Sequence, residues 1–135
     1  SDLSKYRLLS AGTMLDTFVK NAQQLGGISI IAEKVTAGDS EEMKNLGDML
    51  REKMNSGVGV LASIIDEKVS LVCVVTDDVI KEKKLQAGKI VGELAKQLGG
   101  GGGGKPHLAT AGGKDVGKLD DVLKSFPKYV EGMLK

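Results

Sequence analysis

The sequence predicts an α/β fold, a single mixed β-sheet of about four to five strands covered by helices and preceded by an N-terminal helix. Apolar residues recur at helical spacing over residues 8–22, 43–54 and 87–98. Short β-branched runs stand between them at 28–35, 58–64 and 69–75. Capping and turn residues fall at the joints. A chain of 135 residues suits one domain with a real core. That core must be built from Val, Ile, Leu, Ala and Met, because aromatics make up only 3%.

Leu8, Ala11, Leu15, Phe18, Val19 and Ala22 share one stripe of a first helix, and Gly26-Gly27 stops it. The chain opens at Ser1, close to that helix, and is expected to be a piece of a longer polypeptide. Residues 1–26 are then the end of a helical segment and residues 27–135 a globular domain. Ile28–Val35 reads as a strand. Asp39, with Glu42 three residues on, forms a capping-box-like start for a helix striped by Met43, Leu46, Gly47, Leu50 and Met54. Val58, Val60, Ala62 and Ile64 alternate, as do Val69, Leu71, Cys73 and Val75, with Asp66-Glu67 between them as a hairpin connection.

Thr76 or Asp77 is expected to cap one helix reaching Leu98, whose stripe is Ala87, Ile90, Val91, Leu94, Ala95 and Leu98. Lys81, Lys89 and Lys96 lie off the stripe and make its wet side basic. Gly88 and Gly92, one turn apart, predict the close approach of another backbone. Asp115 is expected to cap a short helix striped by Val116, Leu119, Val122, Leu123 and Phe126, and Pro127 to open a last helical turn or two.

No apolar run approaches the roughly 18 residues that span a bilayer, and no signal-peptide pattern is present, so a cytoplasmic protein without a membrane partner is expected. The single cysteine, Cys73, lies in an apolar β-run and reads as a reduced core thiol. Net charge is +1, yet residues 1–80 carry 8 basic and 12 acidic side chains while residues 81–135 carry 11 and 6. A basic half fits a polyanionic partner; an ordinary solvated surface fits as well.

Six consecutive glycines, Gly99–Gly104, precede Lys105, Pro106 and His107, and a second cluster follows at Gly112, Gly113 and Lys114. As a loop, these bare amides could wrap an anion, with the lysines adding point charges; the alternative is a flexible spacer. The second cluster, at a helix start, argues against a spacer. Two nucleotide motifs are rejected. The Walker pattern needs Ser or Thr after Lys105 and finds Pro106. The dinucleotide fingerprint on Gly99, Gly101 and Gly104 lacks its preceding strand.

The run from Gly101 to Asp115, following Ala95-Lys96-Gln97-Leu98, resembles the signature of the C-terminal domain of alanyl-tRNA synthetase, a DHHA1-type domain related to the accessory domain of DHH phosphoesterases. The resemblance covers about Val19 to Lys128, including residues 58–63 and 68–77. The motif falls on Gly102, Gly103, Gly104, Lys105, Pro106, Leu108, Ala109, Gly112, Gly113, Lys114 and Asp115. Two positions depart from it: Lys105 stands where arginine is usual and His107 where an acid is usual. Lysine keeps the charge without the planar fork.

The resemblance implies an accessory domain that docks on the outer corner of tRNA, here alanine-specific, and supports aminoacylation and editing by other domains of the synthetase chain. It also implies a homodimer through the N-terminal helix. The expected nucleic-acid-binding residues are Gly101, Gly102, Gly103, Gly104, Lys105, Pro106, His107, Gly112, Gly113 and Lys114, with Lys89 and Lys96 adding diffuse attraction.

No catalytic residue, metal site or cofactor is expected. His107 is the only histidine and reads as a phosphate contact or a solvated side chain. Cys73 and His107 have no companions to complete a zinc site. Asp77-Asp78 reads as helix capping ahead of magnesium binding. The alternatives are the substrate-binding half of a DHH-type phosphoesterase and a pure dimerisation module.

Overall fold

A computed structural model describes residues 12–134. The elements run α1 (12–20), β1 (Gln23–Leu25), β2 (Ile28–Lys34), α2 (Ser40–Lys53), β3 (Gly57–Ile65), β4 (Lys68–Val75), α3 (Asp77–Lys83), α4 (Ala87–Gln97), β5 (Gly101–Gly104), β6 (Leu108–Gly113), one 3-10 turn (Val116–Lys118) and α5 (Leu119–Leu134). The strands form one open mixed sheet in the order β1-β2-β3-β4-β6-β5. Only β2 and β3 are parallel, joined through α2; the other neighbours are antiparallel.

Alternation along the strands separates two apolar layers. Val58, Val60, Leu71, Cys73 and Val75 face α3, α4 and α5, while Leu61, Val72 and Val74 face α1 and α2. Because β3 and β4 are buried on both faces, they are apolar nearly throughout. Leu15 of α1 is fully buried in the second layer and Phe18 packs against it. The first helix ends at Lys20, ahead of β1, so Gly26-Gly27, expected to stop it, form instead the turn of the β1–β2 hairpin.

The local signals act as physical chemistry requires. Asp39 accepts from the Glu42 backbone N–H at 2.8 Å, and the Glu42 carboxylate accepts from Gly38 N–H at 2.8 Å, so two orphan amides at the start of α2 are satisfied. Asp66 and Glu67 take φ of 52° and 64°, the backbone of a two-residue hairpin turn matched to strand twist.

The structure corrects four further sequence-based expectations. The single helix over 76–98 is two helices, α3 and α4: Lys84 takes φ 58° and ends α3, Leu85 drops into the core, and Ala87 N–H bonds to Pro106 carbonyl at 2.8 Å. Tertiary contact there outweighs lysine's helix propensity. Pro127 lies inside a continuous α5 and does not open a separate turn. Asp115 makes no side-chain cap. The glycine run is not a loop; part of it is a strand, and with β1, β5 and β6 the sheet reaches six strands. The expected stripe residues Leu8 and Ala11 lie outside the described residues.

Candidate nucleic-acid interface

The six glycines divide between two tasks. Gly99, at φ 75°, donates to Lys96 carbonyl at 3.2 Å and Gly100 donates to Ala95 carbonyl at 2.8 Å, which together end α4 in a Schellman motif. Gly101–Gly104 then form the edge strand β5, exposed along its whole length. A two-residue turn, Pro106-His107, returns the chain into β6, with Lys105 N–H bonded to Leu108 carbonyl at 3.1 Å. That turn is held from both sides, because Pro106 carbonyl accepts from Ala87 and His107 carbonyl accepts from Val75 N–H at 3.1 Å.

Antiparallel pairing alternates bonded and non-bonded residues. Since Lys105 and Leu108 are a bonded pair, Gly103 with Thr110 and Gly101 with Gly112 are bonded as well. Gly102 and Gly104 therefore direct their N–H and C=O groups to the free edge. The bare-amide cradle expected from the sequence is a strand edge with half its amides already used.

The two faces of β5 differ. On one, α4 lies against the strand backbone: a Cβ on Gly88 would stand 2.9 Å from Gly104 oxygen, and one on Gly92 would stand 3.6 Å from Gly102 oxygen. On the other, α2 and the β5–β6 hairpin bound an open groove. Its one end is lined by Lys44, Asp48, Lys105 and His107 and its other by Ser40, Lys68 and Ser70, with Thr110 between. Lys44, Lys68 and Thr110 were not singled out by the sequence, since only the fold brings α2 and β4 beside the glycine run.

The predicted site residues do not all converge. Lys105 is exposed at the hairpin turn, while Lys114 follows the far end of β6. Six residues at strand rise put them roughly 20 Å apart. The amides after Gly113 are also committed, as Lys114 and Asp115 N–H both bond to Leu98 carbonyl, at 2.8 and 2.9 Å. Gly113 is buried, its Cβ position only 2.5 Å from Leu98 Cβ, so it serves the packing of α4. Lys89 is exposed on α4; Lys96 is exposed and lies 3.6 Å from Glu93. Among the described residues no carboxylate lies within ion-pair distance of Lys44, Lys89, Lys105 or Lys114.

The other polar cluster holds the fold. Arg51 pairs with Asp77 at 2.5 Å and donates to Val75 carbonyl at 3.2 Å. Asp78 accepts from Ser56 and Thr76 hydroxyls, the latter at 2.6 Å, and these donors hold its carboxyl below the usual carboxylate range. Cys73 is fully buried, and desolvation pushes its thiol pKa far up. Among the described residues no group of three or more His, Cys, Asp or Glu is placed to hold a metal ion, and no helix is long and apolar enough to cross a membrane.

Comparison with known proteins points the same way as the motif. The DHHA1 domain model matches residues 27–132. The chain is 40% identical over 133 residues to an alanine–tRNA ligase of Acetivibrio thermocellus, covering 98% of the chain and 15% of that protein. It is 43% identical over 113 residues to one of Pelotomaculum thermopropionicum, covering 84% of the chain and 13% of that protein. The chain thus spans about one seventh of these relatives' length. The C-Ala domain of Aquifex aeolicus alanyl-tRNA synthetase superposes with a TM-score of 0.66 at 29% identity, over 84% of this chain and 97% of that one. A DHH-domain protein at 16% identity, TM-score 0.54, covering 93% of this chain and 31% of that one, shares the fold. The chain belongs to the DHHA1 domain family, and within it resembles the C-terminal domain of alanyl-tRNA synthetase.

Proposed function

We propose that this chain is the tRNA-binding accessory domain of an alanine–tRNA ligase, docking on the outer corner of alanine-specific tRNA. It supports aminoacylation and editing carried out by the rest of the synthetase chain, in the cytoplasm, and adds binding and no chemistry or cofactor of its own.

One observation carries the choice of ligand. Lys105 and Lys114 stand at opposite ends of the glycine hairpin, roughly 20 Å apart, too far to share one phosphate. An extended polyanion meets both, while a small phosphorylated substrate of a DHH-type phosphoesterase meets one. Lys44 and Lys68 at the two ends of the groove extend the same line of charge. With two tyrosines and two phenylalanines in the chain, and Phe18, Phe126 and Tyr129 packed into or against the core, few aromatic faces remain for stacking on splayed bases. Shape and phosphate contacts therefore dominate the recognition.

The test is a fluorescence-anisotropy titration of labelled alanine tRNA with the chain and with Lys105→Ala plus Lys114→Ala. Binding by the unsubstituted chain, weakened about tenfold or more in the double variant, is expected. Equal binding by both proteins removes these lysines from the interface.

A further inference from the structure

The four glycines of β5 are not glycines for the same reason. Side chains on β5 would alternate between the α4 face and the groove face. Gly102 and Gly104 point to the α4 face, where their Cβ positions collide with the chain itself. A Cβ on Gly102 would lie 2.3 Å from Ala111 Cβ and 2.5 Å from Thr110 oxygen; one on Gly104 would lie 2.8 Å from Ala109 Cα. Gly101 and Gly103 point the other way, into the groove beneath α2, and a Cβ on either meets nothing within 4 Å. Neither takes a left-handed φ. The fold has room for side chains at two of these four positions.

Leaving those two bare has a thermodynamic consequence. Glycine in a strand interior loses more backbone entropy on folding and packs nothing, so alanine at either position would stabilise the domain. What their bareness does provide is a flat floor about four residues long, bordered by Lys44 of α2 and Lys105 of the hairpin turn at one end and by Lys68 at the other. Thr110 of β6 lies between the two ends and adds a hydroxyl. Asp48 is the one carboxylate in the lining, at the end that also holds Lys44 and Lys105.

We propose that the sugar–phosphate backbone of the bound RNA lies in this groove, directly over Gly101 and Gly103, while Gly102 and Gly104 are glycine because their close pairing with β6 leaves no room for a Cβ. The inference rests on the RNA-binding reading and adds the face used and the residues that make it. Lys44, on a helix far from the glycine motif in sequence, becomes a contact residue. A methyl group at Gly101 or Gly103 holds the backbone off the floor and strains its contacts with the flanking lysines.

The experiment compares Gly101→Ala, Gly103→Ala, Gly102→Ala and Lys44→Ala, each by thermal denaturation and by anisotropy titration with labelled tRNA. Gly101→Ala and Gly103→Ala are expected to melt at or above the unsubstituted chain yet bind about tenfold more weakly, the size of an overpacked contact. Gly102→Ala is expected to melt lower. Lys44→Ala is expected to bind about threefold more weakly with an unchanged melting temperature. If the unsubstituted chain binds tRNA and Gly101→Ala, Gly103→Ala and Lys44→Ala bind as tightly, the groove assignment falls and the RNA-binding reading stands. If the unsubstituted chain does not bind, both fall. If Gly101→Ala or Gly103→Ala melts well below the unsubstituted chain, the fold does need those glycines and the division of roles is wrong.

Discussion

Gly88 of α4 and Gly104 of β5 meet backbone to backbone: a Cβ on Gly88 would lie 2.9 Å from the Gly104 carbonyl oxygen and 3.3 Å from its nitrogen. One turn on, Gly92 faces Gly102 at an ordinary 3.6 Å. The helix can approach the edge strand this closely because neither surface carries side chains at the crossing.

The two helix glycines should therefore respond in opposite ways. Gly88→Ala forces backbone apart and is expected to destabilise by about 1–3 kcal/mol. Gly92→Ala has room and gains helix propensity, for about 0.5–1 kcal/mol of stabilisation. Urea unfolding of both variants checks the pair. Equal effects would mean that the helix does not sit as described.

Removing the α2 cap tests the local origin of that helix. Asp39→Ala leaves the Glu42 amide without its acceptor and is expected to cost about 1 kcal/mol. Denaturant unfolding measures this, and Asp39→Asn should recover most of the loss.

Asp78 supplies a pH signature. Its folded carboxyl is held below the ordinary carboxylate range by hydroxyl donors Ser56 and Thr76, so the unfolded chain binds the proton first. Its stabilisation is present above the unfolded pKa and is lost as pH falls through the folded one. The melting temperature of Asp78→Asn should lie below that of the unsubstituted chain at neutral pH, and the gap should close in acid.

Cys73, fully buried with its thiol pKa raised, should be inert to a thiol-labelling reagent in the native protein and react on unfolding. Mass spectrometry of the labelled chain under native and denaturing conditions reads this directly.

Where neighbouring residues decide structure, the sequence is legible. Asp39 and Glu42 announce the start of α2, and Asp66-Glu67 lies between two alternating runs that do become β3 and β4. Strand β5 is not legible in that way, since four glycines show no alternation and carry no propensity; pairing with β6 and cover from α4 make it a strand. The break at Lys84 is hidden for a related reason. Lysine is a good helix former, and the αL turn there is imposed by the burial of Leu85 and the anchoring of Ala87.

The geometry around the candidate site is only partly legible in the sequence. Gly88 and Gly92 foretell a close backbone partner, which proves to be the glycine strand itself. Their spacing says nothing of the partner's identity. Lys105 and Lys114 look adjacent along a loop but are separated once the glycines extend. Lys44 and Lys68 are distant in the chain, and only the sheet order β4-β6-β5, with α2 across it, brings them to the same groove.

The salt dependence of tRNA binding tests the central claim most directly, because phosphate contacts release counterions in proportion to their number. Contact with three to five phosphates requires log affinity to fall against log salt with a slope of about −2 to −4, and Lys105→Ala should reduce that slope by about one. A slope near zero, or one that Lys105→Ala leaves untouched while the affinity is unchanged, would contradict a phosphate-holding glycine strand.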